Sequence, residues 1–168
     1  TLILPFDAEV PKNVIAYSFG LTNKESTKKH LERKFREDDG KLTTGFLGIR
    51  FLLPVLCEVG LRDIAYRLIT NTEFPGWGYS IVNGATTIWE RWNSYTLATG
   101  FGDVSMNSFN HYAYGCVCEW IWETAAGISC TSANPGFSRI VMAPVPDKRL
   151  GFVDAQYNSA AGLIKSSW

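Results

Sequence analysis

The sequence predicts a mainly α-helical chain that turns to β-strands near its end. Up to about residue 126, apolar residues recur at three- and four-residue spacing in stretches separated by Gly or Asp-Gly. After Pro135-Gly136 the runs become short and β-branched, and Pro144 and Pro146 bar a helix. A chain of 168 residues, 46% apolar and 19% charged, can bury a real core and does not have the composition of a disordered segment. We therefore divide it into a helical unit, residues 1–137, and the first strands of a β unit, residues 138–168.

Val10, Val14, Tyr17 and Leu21 recur at helical spacing and predict a helix over 9–21, with Pro11 in its first turn. Thr22 with Glu25 three residues on has capping-box spacing. The helix it opens, to about Glu37, is highly charged, with Leu31 and Phe35 as a narrow apolar stripe. Its charges read as a solvated outer face. Asp39-Gly40 ends it. Residues 47–59 carry Leu47, Ile49, Phe51, Leu52, Leu53, Val55, Leu56 and Val59 on almost every face, which predicts a buried helix. Pro54 should kink it or mark its start, and Gly60 stops it. Arg62 to Thr70 is a further helix with Leu61, Ile64, Ala65, Leu68 and Ile69 inward. Phe74 to Tyr79 is a turn entering a short helix that ends near Asn83-Gly84. Residues 93–107 read as a loop. Ser108 then caps a long helix, Phe109 to Ala126, closed by Gly127. Ile140-Val141-Met142, Val153 to Tyr157 and Leu163 to Trp168 read as strands, too few for a stable sandwich of their own.

Composition removes several function classes. Lys+Arg and Asp+Glu number 16 each, so the net charge of zero gives no electrostatic case for nucleic acid or an anionic membrane. No apolar run approaches the roughly 18 residues of a membrane-spanning helix. Thr1-Leu2-Ile3-Leu4-Pro5 has no initiator Met and no basic region before an apolar core. It reads as a chain cut from something longer and not as a signal peptide. Cys116 and Cys118 lie two apart on the expected helix and point apart, and His30 and His111 are distant, so no metal or other cofactor is expected. Cys57, Cys116, Cys118 and Cys130 read as small buried apolar residues. The compartment stays open.

The chemistry concentrates in Gly84 to Trp92, where Glu90 lies between Trp89 and Trp92 beside Arg91. Indole faces bind the apolar faces of sugar rings, and a carboxylate among them suits proton transfer on a carbohydrate. The competing reading is structural: a Glu90–Arg91 ion pair packed under aromatics. On these residues alone it is the commoner case. His111, at the first turn of the expected long helix, either hydrogen-bonds a sugar hydroxyl or caps to a nearby carbonyl.

Four segments together resemble the bacterial α-L-rhamnosidases, glycoside hydrolase family seventy-eight. They are Thr43-Thr44-Gly45-Phe46-Leu47-Gly48 with Leu53-Pro54-Val55-Leu56; Gly84 to Trp92; Ser108-Phe109-Asn110-His111-Tyr112-Ala113-Tyr114-Gly115; and Pro135-Gly136-Phe137 leading into the strands. The resemblance implies part of an (α/α)6-barrel catalytic domain followed by a short, truncated β-sandwich segment. It also implies hydrolysis of terminal α-L-rhamnose from glycosides with inversion, by a base and an acid whose carboxyls stand about 6.5–9.5 Å apart. The family's base falls on Glu90 and its sugar-contacting histidine on His111. Trp89, Trp92 and Trp77 are assigned as pocket walls.

The family's general acid lies in an acidic motif far upstream, and this chain has no such motif. Asp38-Asp39 reads as a helix terminus, and Glu73 and Asp103 are loop carboxylates. The expectation is therefore a piece of an inverting rhamnosidase, inactive alone, whose substrate is a rhamnosylated glycoside or polysaccharide. A partial barrel leaves apolar faces uncovered, so self-association is expected. Two alternatives stand beside this reading: a noncatalytic helical module that binds sugar or a partner, and an (α/α)6 hydrolase of different sugar specificity.

Overall fold

A computed structural model of the chain describes residues 9–168, so the expectation for Thr1 to Pro5 lies outside the described residues. The chain divides into two compact units, Thr1–Cys116 and Val117–Trp168.

The first unit is built around one buried helix. α1 (Glu9–Ser18), α2 (Lys24–Glu37), α3 (Phe46–Glu58), α4 (Arg62–Thr70) and α5 (Trp77–Val82) follow in order. α3 packs against α1, α4 and a 3₁₀ turn, Ala113–Cys116. Its Ile49, Leu52, Leu53, Val55 and Leu56 are buried, as an all-round apolar helix should be, although Leu47 is exposed. Pro54 lies inside the helix on an exposed position and neither starts nor ends it. Gly48 lets α1 approach: a Cβ there would stand 2.5 Å from the Pro11 Cβ.

Two helix ends differ from expectation, each for a local reason. α1 stops at Ser18, where the Leu21 N–H donates to the Ala16 carbonyl (2.8 Å) and Gly20 takes φ +70. Leu21, expected on the inward face, is therefore 80% exposed. α2 is capped by Asn23 and not Thr22: the Asn23 Oδ1 accepts from the Ser26 N–H at 2.9 Å. Its outer face carries the exposed ion pairs Lys29–Glu25 and Arg33–Glu37, while Lys34 is buried beside Glu37. Between α5 and the 3₁₀ turn, the expected loop contains a small antiparallel hairpin, β1 (Tyr95–Thr96) with β2 (Gly100–Phe101).

The expected long helix over 109–126 does not begin at Phe109. Residues 109–111 instead pair with the irregular segment before Glu90, which uses the His111 N–H and the Phe109 carbonyl. Regular structure starts with the 3₁₀ turn at Ala113.

The second unit opens with α6 (Val117–Trp120) and a π-helical turn, Ile121–Ala125. Gly127 follows at φ +70, where a side chain would collide with the Pro144 backbone. β3 (Ile128–Ser129) pairs antiparallel with β4 (Val141–Met142). β5 (Asp154–Ser159) and β6 (Gly162–Ser167) form a hairpin in register from Asp154↔Ser167 to Ser159↔Gly162. Reciprocal bonds between Val153 and Trp168 extend it by one pair. β4, β5 and β6 fall where the sequence expects strands. The small core is Ala126, Ile128 and Ile164, with Phe137, Val153 and Ala155 packed on it.

The cysteines differ from expectation. Cys57, Cys116 and Cys130 are half-buried and Cys118 is exposed, so none is a core residue. Among the described residues, no helix is long and apolar enough to cross a membrane.

Candidate active site

Gly84, at φ +93, ends the turn after α5, and residues 85–90 follow as an irregular segment with neither helix nor strand. That segment is held by a second one, residues 108–111. The Glu90 N–H donates to the Ser108 carbonyl (2.8 Å) and the His111 N–H to the Ile88 carbonyl (2.9 Å). The Thr87 hydroxyl donates to the Phe109 carbonyl. The Ser108 N–H completes the set by donating to the Glu90 Oε2 at 2.8 Å. The two motifs, separated by about twenty residues of sequence, are thus one hydrogen-bonded unit.

Beyond Glu90 the chain turns sharply around Ser94, which is fully buried. Its hydroxyl accepts from the Arg91 N–H (3.2 Å) and donates to the Arg91 carbonyl (3.0 Å). Its carbonyl accepts from the Asn107 side chain and the Gly102 N–H. Sequence reasoning assigned Ser94 no role. A small hydroxyl residue directly after a Trp-Asn pair in a chain reversal is the signal that could have found it.

Glu90 opens into a cavity of about 340 Å³. The loop Leu42 to Phe46, at the start of α3, forms one wall. Pro75, Arg91, Trp92 and Tyr114 are among the residues that line its other sides, and Glu90 is the only carboxylate lining it among the described residues. The Trp92 ring stacks on Tyr114 at 3.8 Å between centroids, and Trp77 meets Trp92 edge-on at 5.3 Å. Phe46 continues the aromatic series, 5.1 Å from Tyr114 and stacked on the His111 imidazole at 4.6 Å. Burial pushes the Tyr114 phenol up to about 12, with the nearby Cys116 adding to the shift, so its hydroxyl stays protonated at neutral pH.

The sequence-predicted residues take different places. Glu90 and Trp92 line the cavity. Trp77 is buried behind Trp92, its indole N–H donating to the Tyr114 carbonyl at 2.8 Å. Trp89 is buried on another side, edge-on to Phe109 at 5.4 Å. His111 is half-buried, and its Nδ1 accepts from the Ala113 N–H at 3.4 Å, so it caps the 3₁₀ turn. An accepting Nδ1 leaves the proton on Nε2, which points the imidazole's donor elsewhere. Phe46 and Tyr114 lie within motifs the sequence singles out, but their part in the wall was not anticipated.

The structural alternative for Glu90 is not realised as an ion pair. Among the described residues no salt bridge joins Glu90 to Arg91. The Arg91 charge acts instead on Asp103, whose carboxyl is held below its ordinary value chiefly by hydrogen bonds from Ser105. Glu73 closes a turn with Asn71, and Asp38 follows the end of α2. None of these carboxylates lines the cavity. No group of three or more His, Cys, Asp or Glu side chains able to hold a metal occurs among the described residues.

Comparison with known proteins places this geometry in a family. Residues 7–125 match a family model described as the bacterial alpha-L-rhamnosidase 6 hairpin glycosidase domain. Residues 127–168 match the bacterial alpha-L-rhamnosidase C-terminal domain. The chain is 46% identical over 158 residues to an alpha-L-rhamnosidase of Formosa agariphila, covering 92% of this chain and 17% of that protein. It is 45% identical over 130 residues to one from an Alteromonas species, covering 77% of this chain and 14% of that protein. Among solved structures it is similar to the Streptomyces avermitilis alpha-L-rhamnosidase complexed with L-rhamnose. The TM-score is 0.83 at 39% identity, over 93% of this chain and 15% of that one. The Aspergillus terreus α-L-rhamnosidase gives a TM-score of 0.84 at 32% identity, over 95% of this chain and 19% of that one. The chain thus spans less than a fifth of the length of each of these relatives.

Proposed function

Since the chain belongs to the bacterial α-L-rhamnosidases, we propose that it supplies the water-activating side of an inverting rhamnosidase active site, with Glu90 as the general base. The observation that carries this is the placement of Glu90. It is the carboxylate of an aromatic-walled cavity, and one of its oxygens is already fixed by the Ser108 N–H. The other oxygen is left to accept a proton from water. That water attacks the anomeric carbon from the face opposite the glycosidic oxygen. The carbon–oxygen bond breaks, and the departing oxygen takes a proton from a general acid outside this chain.

The walls have separate tasks in this reading. Trp92, Phe46 and Tyr114 exclude bulk water and offer apolar surface to the deoxy-sugar ring. His111 does not line the cavity but stacks on Phe46, which does, and with its proton on Nε2 it donates a hydrogen bond to a sugar hydroxyl at the cavity edge. Trp77 supports the wall from behind, through Trp92 and Tyr114, and Trp89 has no part in it. The substrate class, a terminal α-L-rhamnoside, is supported by the relatives' names and by the L-rhamnose complex of the Streptomyces enzyme.

Residues 1–137 are read as the last part of the barrel domain and residues 138–168 as the first strands of the domain that follows. The family matches change over between residues 125 and 127, about ten residues before that division. The exposed apolar side chains Leu47, Leu97, Phe101 and Val104 support self-association of the chain when it is isolated.

Glu90→Gln keeps an oxygen for the Ser108 N–H but cannot take a proton. In the full-length protein it should lower kcat on a nitrophenyl α-L-rhamnoside by roughly 10²–10⁴-fold with little change in KM. The 168-residue chain alone should show no turnover. NMR of the first-formed sugar should show the anomer opposite to that of the substrate. Retained configuration, or a Glu90→Gln enzyme within about tenfold of wild type, would sink the assignment.

A further inference from the structure

The second unit has a cavity of its own, about 180 Å³, lined by Glu119, Trp122, Glu123, Ile128, Phe137 and Tyr157. Three of its lining residues are aromatic and meet one another tilted or edge-on. Phe137 and Tyr157 lie 4.6 Å apart between ring centroids, and Trp122 meets Tyr157 at 6.2 Å. Rings this close touch one another, so no ligand fits between them. They form a ledge and not a cage of the kind that surrounds an organic cation. Trp122 and Tyr157 are 37% and 38% exposed in this chain.

Two carboxylates stand at the rim. Glu119 and Glu123 come from the same stretch of chain as Trp122, and no basic residue lines the cavity. The backbone there is unusual: Ile121–Ala125 forms a π-helical turn. Such single widened turns are frequent at functional positions. Here the widened turn carries both Trp122 and Glu123 into the cavity wall.

An aromatic ledge flanked by acceptor-only groups has the chemistry of a carbohydrate subsite. The C–H face of a pyranose packs on the rings, and its hydroxyls donate to the carboxylates. We infer that the second unit binds a pyranose residue of a glycan at this ledge, separately from the Glu90 cavity, with Trp122 as the stacking platform and Glu119 and Glu123 as hydroxyl acceptors. The choice of sugar as ligand rests on the rhamnosidase reading above.

The test is native electrophoresis of the full-length protein through gels containing gum arabic, a soluble rhamnose-bearing polysaccharide. Glu90→Gln is present throughout, so that the probe is not consumed. The protein should be retarded, and Trp122→Ala should weaken the apparent Kd roughly fivefold or more. The double variant Glu119→Gln/Glu123→Gln is isosteric at both positions and should weaken it in the same direction. That guards against misfolding of Trp122→Ala. With Glu90 intact, Trp122→Ala should leave nitrophenyl rhamnoside turnover unchanged. No retardation, or retardation unchanged in both variants, overturns the ledge even if rhamnosides are cleaved. Trp122-dependent retardation in a protein that cleaves no rhamnoside keeps the ledge and overturns the catalytic reading instead.

Discussion

Gly48→Ala tests whether the α1–α3 contact holds the cavity wall in place. The added Cβ would stand 2.5 Å from the Pro11 Cβ, 2.8 Å from the Thr44 Cγ2 and 2.9 Å from the Pro11 Cα. The threonine methyl can rotate away. The proline ring and backbone cannot, so α1 must move or strain must remain. Overpacking of this kind costs about 1–3 kcal/mol, and two rigid contacts argue for the upper end. Alanine in a helix interior returns roughly 1 kcal/mol over glycine. The net expectation is a loss of about 2 kcal/mol, read as a lower midpoint in urea denaturation of the chain with an unchanged m-value. Leu47→Ala, one residue away on an 83% exposed side chain, is the control and should change stability by less than about 0.5 kcal/mol. Thr44 lines the Glu90 cavity, so the displaced wall should also raise KM in the full-length enzyme. A Gly48→Ala chain as stable as wild type would refute the close-packing argument, because helix propensity alone predicts a gain.

Phe46→Ala removes the ring stacked on His111 at 4.6 Å. An aromatic pair contributes about 0.5–1.5 kcal/mol, so KM for a rhamnoside should rise roughly two- to tenfold. An unchanged KM would mean that Phe46 does not position the imidazole. The isolated chain, with Leu97, Phe101 and Val104 all more than 70% exposed, should run larger than a monomer in light scattering at micromolar concentration. A monomer at every concentration tested would remove the self-association expectation.

Much of the helical unit was legible because burial leaves a period in the sequence. Leu31 and Phe35, and Ile49, Leu52, Leu53, Val55 and Leu56, are core residues where spacing put them. The misses share a cause: local backbone groups found partners that periodicity does not record. Leu21 kept the helical period, yet a glycine closure ended α1 before it and left it in solvent. Phe109 and Tyr112 fit a helical stripe, but their segment had already spent its hydrogen bonds on residues 87–90. The strands of the second unit were found from β-branched runs. β3 was not, since a two-residue strand behind Gly127 has no period to read.

The candidate site follows the same logic. The family resemblance singles out Glu90 and His111 and leaves them as separate signals. The pairing of their segments makes them interdependent. The Ser108 N–H that fixes the Glu90 carboxylate and the His111 N–H that bonds the Ile88 carbonyl are donors of one short segment. A shift of that segment therefore moves the carboxylate and the imidazole together. The two segments are joined by main-chain donors and not by a contact between two long side chains. Trp92 and Phe46 then fix the remaining direction, one stacked on Tyr114 and the other on His111. A base that must place one water molecule opposite a leaving group needs this kind of attachment, because small displacements of a reacting group cost rate steeply. The structural and catalytic readings of Glu90 are accordingly not opposed: the hydrogen bond that anchors one oxygen also orients the other.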